Sequence, residues 1–419
     1  VARIFADLTP LRVSAPYRRL WAGLGISNVG QQMTSVAVGL QVYDLTKSSF
    51  MVGLVGLFQL IPLIGFGLYG GTLSDAFDRR LVGLISALGL WGCSLLFMVQ
   101  SALSINSVGV LFLVVAVQSA FFAVGNPARQ AIIPRLVPKE MLPAANALSM
   151  ITWNIGFTLG PLIGGLVIAA FGTVSAAYVI DVVAFAIVVW AMWRLPSLPP
   201  ILIAGDVRPR AGWGAVKEGF AFLKGKRNLQ MSFYEDIIAM VFGMPRALFP
   251  AIAAQWYGGS MREVAIVLGF LAAAPAVGAL LSSIFSGPLG AVRAQGRWVI
   301  ISIVVWGSTI AAFGMVRWLP LALLFLMIAG AADNVSAIFR TTIMQAATPD
   351  EYRGRLQGIF TVVVAGGPRL GDVEAGAVAA VAGEAFSVIS GGVICVVLAL
   401  GLGRAIPSFW KYDARHPIP

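Results

Sequence analysis

Twelve runs of about 20 mostly apolar residues dominate this 419-residue sequence. They lie near 19–43, 50–74, 81–102, 107–128, 145–169, 174–193, 229–256, 264–289, 298–317, 319–341, 356–381 and 385–404. A helix of about 20 residues spans a hydrocarbon core of about 30 Å. Only helices and closed barrels satisfy their backbone polar groups there. Charged residues make up 11% of the chain, against about 25% in a soluble domain. The spacing therefore predicts an all-α integral membrane protein with twelve transmembrane helices. The formal net charge of +11 does not point to nucleic acid, because the charge is placed by topology. With the N-terminus inside, cytoplasmic segments hold 24 of the 29 lysines and arginines; outer loops hold Lys47, Arg262 and Arg317, and spans hold Arg246 and Arg369. This is the positive-inside pattern, with both termini cytoplasmic. A basic inner face also attracts anionic membrane lipids.

Cys93 and Cys395 both fall in apolar runs and read as small buried hydrophobes. His416 is the only histidine and sits in the tail. No nucleophile motif, phosphate loop or metal-ligand cluster is present, so the sequence predicts no enzyme, no metal and no cofactor. Basic residues precede a first span too long for a signal-peptide core, so a cleavable signal is not expected.

The longest polar interruption, 195–228, falls after the sixth run. This gives an N-terminal bundle over 1–194, a cytoplasmic linker over 195–228, a C-terminal bundle over 229–404 and a cytoplasmic tail over 405–419. Within the linker, Trp213 to Leu223 has amphipathic helical spacing. It fits a helix on the membrane surface or a solvated tether. The halves also resemble each other. "RQAIIPRLVPKEMLPAANAL" from Arg129 and "RTTIMQAATPDEYRGRLQGI" from Arg340 keep the same spacing from arginine to Pro138 or Pro349, and on to Asn146 or Gln357. Duplicated six-helix halves build transporters with a site near the bilayer midplane.

Charges inside spans are costly, about 2.5–3.5 kcal/mol on insertion scales, so they face water or pair. "VAGGPRLGDVEAGAV" places Arg369, Asp372 and Glu374 in one run. Arg369 and Asp372 are three apart and share a helix face. They read either as a site where substrate displaces a proton or as a static pair that fixes helix register. Glu235, Asp236 and Arg246 lie in the seventh run, with Glu235 and Arg246 eleven apart on one stripe. Asp333 lies in the tenth run, one stripe with Arg340. The first half offers Asp181 and a polar stripe of Asn28, Gln32 and Ser35. Together these predict an asymmetric aqueous cavity with its ionisable groups concentrated in the second half. With no histidine in a span, coupled protons would ride on carboxyls.

Two motifs carry a family resemblance. "GGTLSDAFDRRLVG" follows the second run, and its Gly71, Leu73, Asp75, Arg79 and Arg80 match the signature loop of the major facilitator superfamily. Asp78 replaces the usual glycine, and the equivalent loop of the second half has Ala291 in place of the aspartate. "GFTLGPLIGG" brings Gly156, Gly160, Pro161 and Gly164 into a pattern that resembles the span-five motif of exporting antiporters. Small residues four apart let helices touch backbone to backbone. The resemblance implies a major facilitator fold of two pseudo-symmetric six-helix bundles, with the loop cluster as a conformational latch. "GNPARQAIIPRLVPKEMLPAANAL", "GMPRALFPAIA" and "AGGPRLGDVEAGAV" are similar to the enterobactin-exporter branch. That branch implies export of a catecholate-type siderophore from the cytoplasm against protons, by a monomer in the bacterial cytoplasmic membrane. Arg246 and Arg369 suit an anionic or phenolic small-molecule substrate; Phe121, Phe122, Trp153 and Phe242 offer rings for stacking. Many drug-exporting relatives carry an acid near Gln31 or Gln32, where this chain has amides. Macrolide-type drug efflux is the alternative reading, and a non-transporting membrane sensor or scaffold is the reading from another class.

Overall fold

The structure is a computed structural model that describes residues 7–199, 218, 221–286, 289 and 292–413. The side chains of 68–72, 74–76, 350–351, 353–355, 357–358 and 361 lie outside that description. The described residues form helices and no strand. The long elements are α1 (Ala15–Thr46), α2 (Ser49–Ala76), α3 (Arg79–Ala102), α4 (Val108–Leu136), α5 (Leu142–Phe171) and α6 (Ser175–Trp193). The second half gives α7 (Arg227–Phe242), α8 (Phe249–Trp256), α9 (Met261–Ile284), α10 (Gln295–Met315), α11 (Leu319–Ala347), α12 (Asp350–Ala382) and α13 (Glu384–Ala405).

Ten described spans are long and apolar enough to cross a membrane, α7 and α8 counting together. α1, with 32 residues, and α12, with 33, have the length but more polar faces. Those are the two helices that carry the amide stripe and the Arg369–Glu374 cluster. The run expected as one span over 229–256 is instead broken. Gly243, Met244 and Pro245 leave the helix, a 3-10 turn follows over Arg246–Leu248, and α8 restarts with Pro250 in its first turn. Proline has no N–H to give a preceding carbonyl, so two prolines five apart stop and restart the helix. The amphipathic helix expected from Trp213 lies outside the described residues, except Glu218 and the helical 221–223.

The chain divides into two compact units. One comprises Val1–Leu45, Phe58–Ala211 and Ser260–Gly269; the other comprises Thr46–Leu57, Gly212–Gly259 and Phe270–Pro419. In the first unit α1 is fastened to α5 by a ladder of side chains. Tyr17 Oη donates to Ala145 O at 3.0 Å, Trp21 Nε1 to Leu148 O at 3.1 Å, and Asn28 Nδ2 to Thr152 O and Trp153 O at 3.2 Å. Above the ladder the glycines of α5 face α1 directly. A Cβ on Gly160 would lie 2.4 Å from Gln32 Cβ, and one on Gly164 3.0 Å from Met33 Cα. Farther along, Gly165 meets the Ser260–Gly269 stretch, where a Cβ would come within 2.4 Å of Ala265 O.

In the second unit an apolar core gathers Leu229, Met231, Phe233, Ile300, Ile343 and Phe409. Ser49–Leu57 of α2 packs on α12 with no side chain between. A Cβ on Gly53 would lie 2.3 Å from Asp372 O, and one on Gly56 2.8 Å from Arg369 O. Glu384 ties the same end, accepting from Ser49 Oγ at 2.9 Å and from Gln255 Nε2 at 3.3 Å.

The loop between α2 and α3 is organised by Asp78, the residue that departs from the family pattern. Its carboxylate accepts from Arg80 N at 2.8 Å, capping α3, and also from Ser197 Oγ at 2.5 Å and Leu198 N at 3.1 Å. Partial burial works to raise the Asp78 carboxyl, but these hydrogen bonds outweigh it and hold the group below the usual aspartate range. A lowered pKa makes the ionised form a source of stability above the unfolded value, lost as pH falls through the folded one. Asp78→Ala should therefore cost about 1 kcal/mol, as lost N-caps do. The melting-temperature gap between detergent-purified wild type and variant should close as pH drops below about 4.

Candidate functional site

The signature-loop arginines hold backbone. Arg79 Nη1 donates to Ala131 O at 3.3 Å and Arg80 Nη2 to Trp193 O at 2.6 Å. Asp75 and Gly71 are on α2, their surroundings outside the description; Leu73 is half-buried. The cluster thus ties α3 to α4 and to the end of α6 within the first unit.

The break between α7 and α8 builds the first charged site. Trp306 occupies the space over Gly243: a Cβ there would lie 2.2 Å from Trp306 Nε1. Met240 O approaches Gly371 and Phe242 O approaches Gly391 so closely that a Cβ would meet them at 2.1 and 2.2 Å. These contacts clasp the end of α7 and present the turn that follows. Arg246 stands in that turn, and its Nη2 donates to Asp372 Oδ2 of α12 at 3.1 Å. The carboxylate is 15% exposed and the guanidinium 46%, so the arginine keeps donors for another partner. Arg369 stays within electrostatic reach of Asp372, as its spacing suggests, but the hydrogen bond to Asp372 comes from Arg246. Arg369 sends Nη1 to Ala365 O, one turn back on its own helix, and Asp372 receives Arg246 across helices. Glu374, half-buried, lies outside that pair. The single stripe expected for Glu235 and Arg246 is also overturned, because the helix ends between them.

A second cluster is buried deeper in the same unit. Arg340 of α11, 3% exposed, donates from Nη1 to Asp236 Oδ1 of α7, and its Nη2 lies 3.7 Å from Asp333 Oδ1. Glu235, 0% exposed, has no hydrogen-bond partner on either carboxyl oxygen. Asp333 and Arg340 share one helix, but Asp236 enters from another, which spacing alone could not show.

The repeat offset makes this cluster informative. Arg340 corresponds to Arg129 (340 − 129 = 211), and the same offset places Phe122 opposite Asp333 (333 − 211 = 122). In the first unit the Arg129 guanidinium sits over the Phe122 ring at 5.5 Å from its centroid. A cation–π contact there takes the place of an ion pair. Asp181, a buried acid of the first unit, accepts from Ser94 Oγ at 2.7 Å and presses against Gly30. Asn28 is spent on α5 and Gln32 packs on Gly160. The Asn28 amide of α1 thus serves helix pairing, and Ser35 of the same stripe is exposed. Of the proposed rings, Phe121 fills the space over Gly89, and Trp153 packs tilted against Phe157, with ring centroids 5.1 Å apart.

Sequence reasoning noted Asp78 but missed its capping role, and it missed the helix break. Both carried a signal: an acid just ahead of a helix start, and glycine and two prolines in "GMPRALFP".

Comparison with known proteins fits these features. A profile described as transmembrane secretion effector matches residues 5–416. The enterobactin exporter EntS of Shigella boydii serotype 18 (strain CDC 3083-94 / BS512) is 28% identical over 409 residues, 95% of each chain. EntS of Escherichia coli O81 (strain ED1a) has the same identity and coverage. Among solved structures, a point mutant of the nucleoside transporter NupG superposes with a TM-score of 0.72 at 15% identity, covering 94% of this chain and 100% of that one. The chain belongs to the transmembrane secretion effector family and is a multi-pass major facilitator transporter of the bacterial cytoplasmic membrane, not an enzyme.

Proposed function

We propose that this transporter exports an anionic or phenolic small molecule of the catecholate siderophore type from the cytoplasm, in exchange for protons, by alternating exposure of its site to the two membrane faces. The observation that carries the reading is Arg246: a half-exposed guanidinium at a helix break, neutralised by Asp372 until a competing anion arrives. Irregular backbone at membrane depth is tolerated where it borders a polar space, and interrupted helices mark binding sites in transporters. A catecholate supplies paired oxygens to such a fork by charge-assisted hydrogen bonds. The similarity to proteins named enterobactin exporters supports this direction and this class of cargo.

Mass spectrometry of small molecules secreted under iron limitation, with and without the chain, tests this. Deletion should trap a catecholate inside the cell. Complementation with Arg246→Ala should reduce its secretion about tenfold or more, the scale of one lost charged hydrogen bond. Undiminished secretion together with drug hypersensitivity would replace the reading with broad drug efflux.

A further inference from the structure

Three carboxyls, Glu235, Asp236 and Asp333, lie around one guanidinium, Arg340, inside the second unit. Asp236 accepts from it directly and Asp333 forms a longer ion pair with it. Glu235 receives no hydrogen bond: it is 0% exposed, lies within electrostatic reach of Arg340, and neither of its oxygens has a partner. A carboxyl in that position stabilises the fold in neither of its forms. Ionised, it is a buried uncompensated charge; neutral, it is an acid whose O–H finds no acceptor. Its surroundings are otherwise apolar or already committed. Asp236 lies beside it, Arg340 and Asp333 come from α11, and Cys395 comes from α13. α12 meets this stretch of α7 through Phe360 on Phe233, α10 meets its end through Trp306, and the short Pro407–Trp410 helix meets its start through Ser408 on Asn228.

Resting on the exporter reading above, we infer that Glu235 is the side chain that carries the exchanged proton, with Arg340 as the charge that receives its carboxylate after release. The step is a simple acid dissociation: the proton leaves the carboxyl for water at the open face, and the negative charge left behind turns to Arg340. Arg340 is already divided between two aspartates, so taking up a third carboxylate loosens its hold on Asp236 or Asp333. Because Asp236 belongs to α7 and Asp333 to α11, proton release changes how firmly these helices are joined. α7 is also the helix whose end leads into Arg246, so the loaded state of Glu235 and the presentation of Arg246 share one element. The first unit has no counterpart of this arrangement at Arg129, where an aromatic ring stands in the place of the acid.

Infrared difference spectroscopy on the purified full chain tests the assignment without any substrate. Wild type should show the carbonyl stretch of a protonated carboxylic acid that disappears as the sample is made alkaline. Glu235→Gln should lack that component, and Glu235→Asp should restore it at a displaced frequency. The same titrating band in Glu235→Gln overturns the proposal, as does a wild-type band that never titrates while the protein stays folded. If Glu235→Gln cannot be purified, the frequency displacement in Glu235→Asp decides alone, and an undisplaced band counts against the assignment. A second arm uses enterobactin in proteoliposomes, where Glu235→Gln should lose the dependence of enterobactin movement on an imposed pH gradient. Retained gradient dependence overturns the proposal. No enterobactin movement by wild type would sink the substrate reading and leave the infrared arm to judge the proton site.

Discussion

Arg340→Ala should leave little folded protein in the membrane fraction. Arg340 is the only cation paired, among the described residues, with Asp236 and Asp333, and it is 3% exposed. Its removal leaves two carboxyls without a counter-charge in an apolar bundle, beside a third that already lacks a partner. Breaking a buried pair from one side costs about 3–5 kcal/mol. Total stabilities of about 5–15 kcal/mol leave a narrow margin after such a loss. The penalty comes from stranded charge, so neutralising the acids should reverse it. Asp236→Asn with Asp333→Asn added to Arg340→Ala should recover most of the lost yield and melting temperature. Fluorescence-detected gel filtration and thermal unfolding in detergent measure both. A single variant as stable as wild type would mean that the pairing carries no net energy.

Gly160→Val should disrupt the first unit strongly while altering no charge. Its new Cβ would lie 2.4 Å from Gln32 Cβ and 2.9 Å from Val29 O. Neither obstacle is the free end of a flexible side chain, so α1 and α5 must separate. Overpacking of this kind costs about 1–3 kcal/mol. The separation also strains the Asn28 bonds to Thr152 and Trp153. The control is Gly92→Ala on α3, where nothing lies within 4 Å of the added atom. It should melt within a degree or two of wild type, while Gly160→Val falls by several degrees and loses transport.

These cases show what a linear sequence conveys. Apolar runs, the paired arginine segments and the glycines at four-residue spacing are local or periodic, and each was readable along the chain. Pairings across helices were not. Asp372 has Arg369 three positions away, a natural partner on one helix, yet it bonds Arg246, 126 positions distant. The choice depends on where the broken helix ends, and that is set by how Gly243, Gly371 and Gly391 admit their neighbours. On α1 the polar stripe leaves its own ambiguity. Polar spacing within a membrane helix points equally to water and to a neighbouring helix's carbonyls, and Asn28 serves the second.

The unlike partners of Arg129 and Arg340 have a consequence for how the two repeats tolerate acidity. A guanidinium resting on a benzene ring is indifferent to pH, whereas one shared by two aspartates weakens as either takes up a proton. Duplication supplied two copies of one joint; divergence left one of them acid-proof and the other acid-labile. Acid would therefore loosen the Arg340 joint while leaving the Arg129 joint as it is, so the two repeats differ in how this one connection answers the medium.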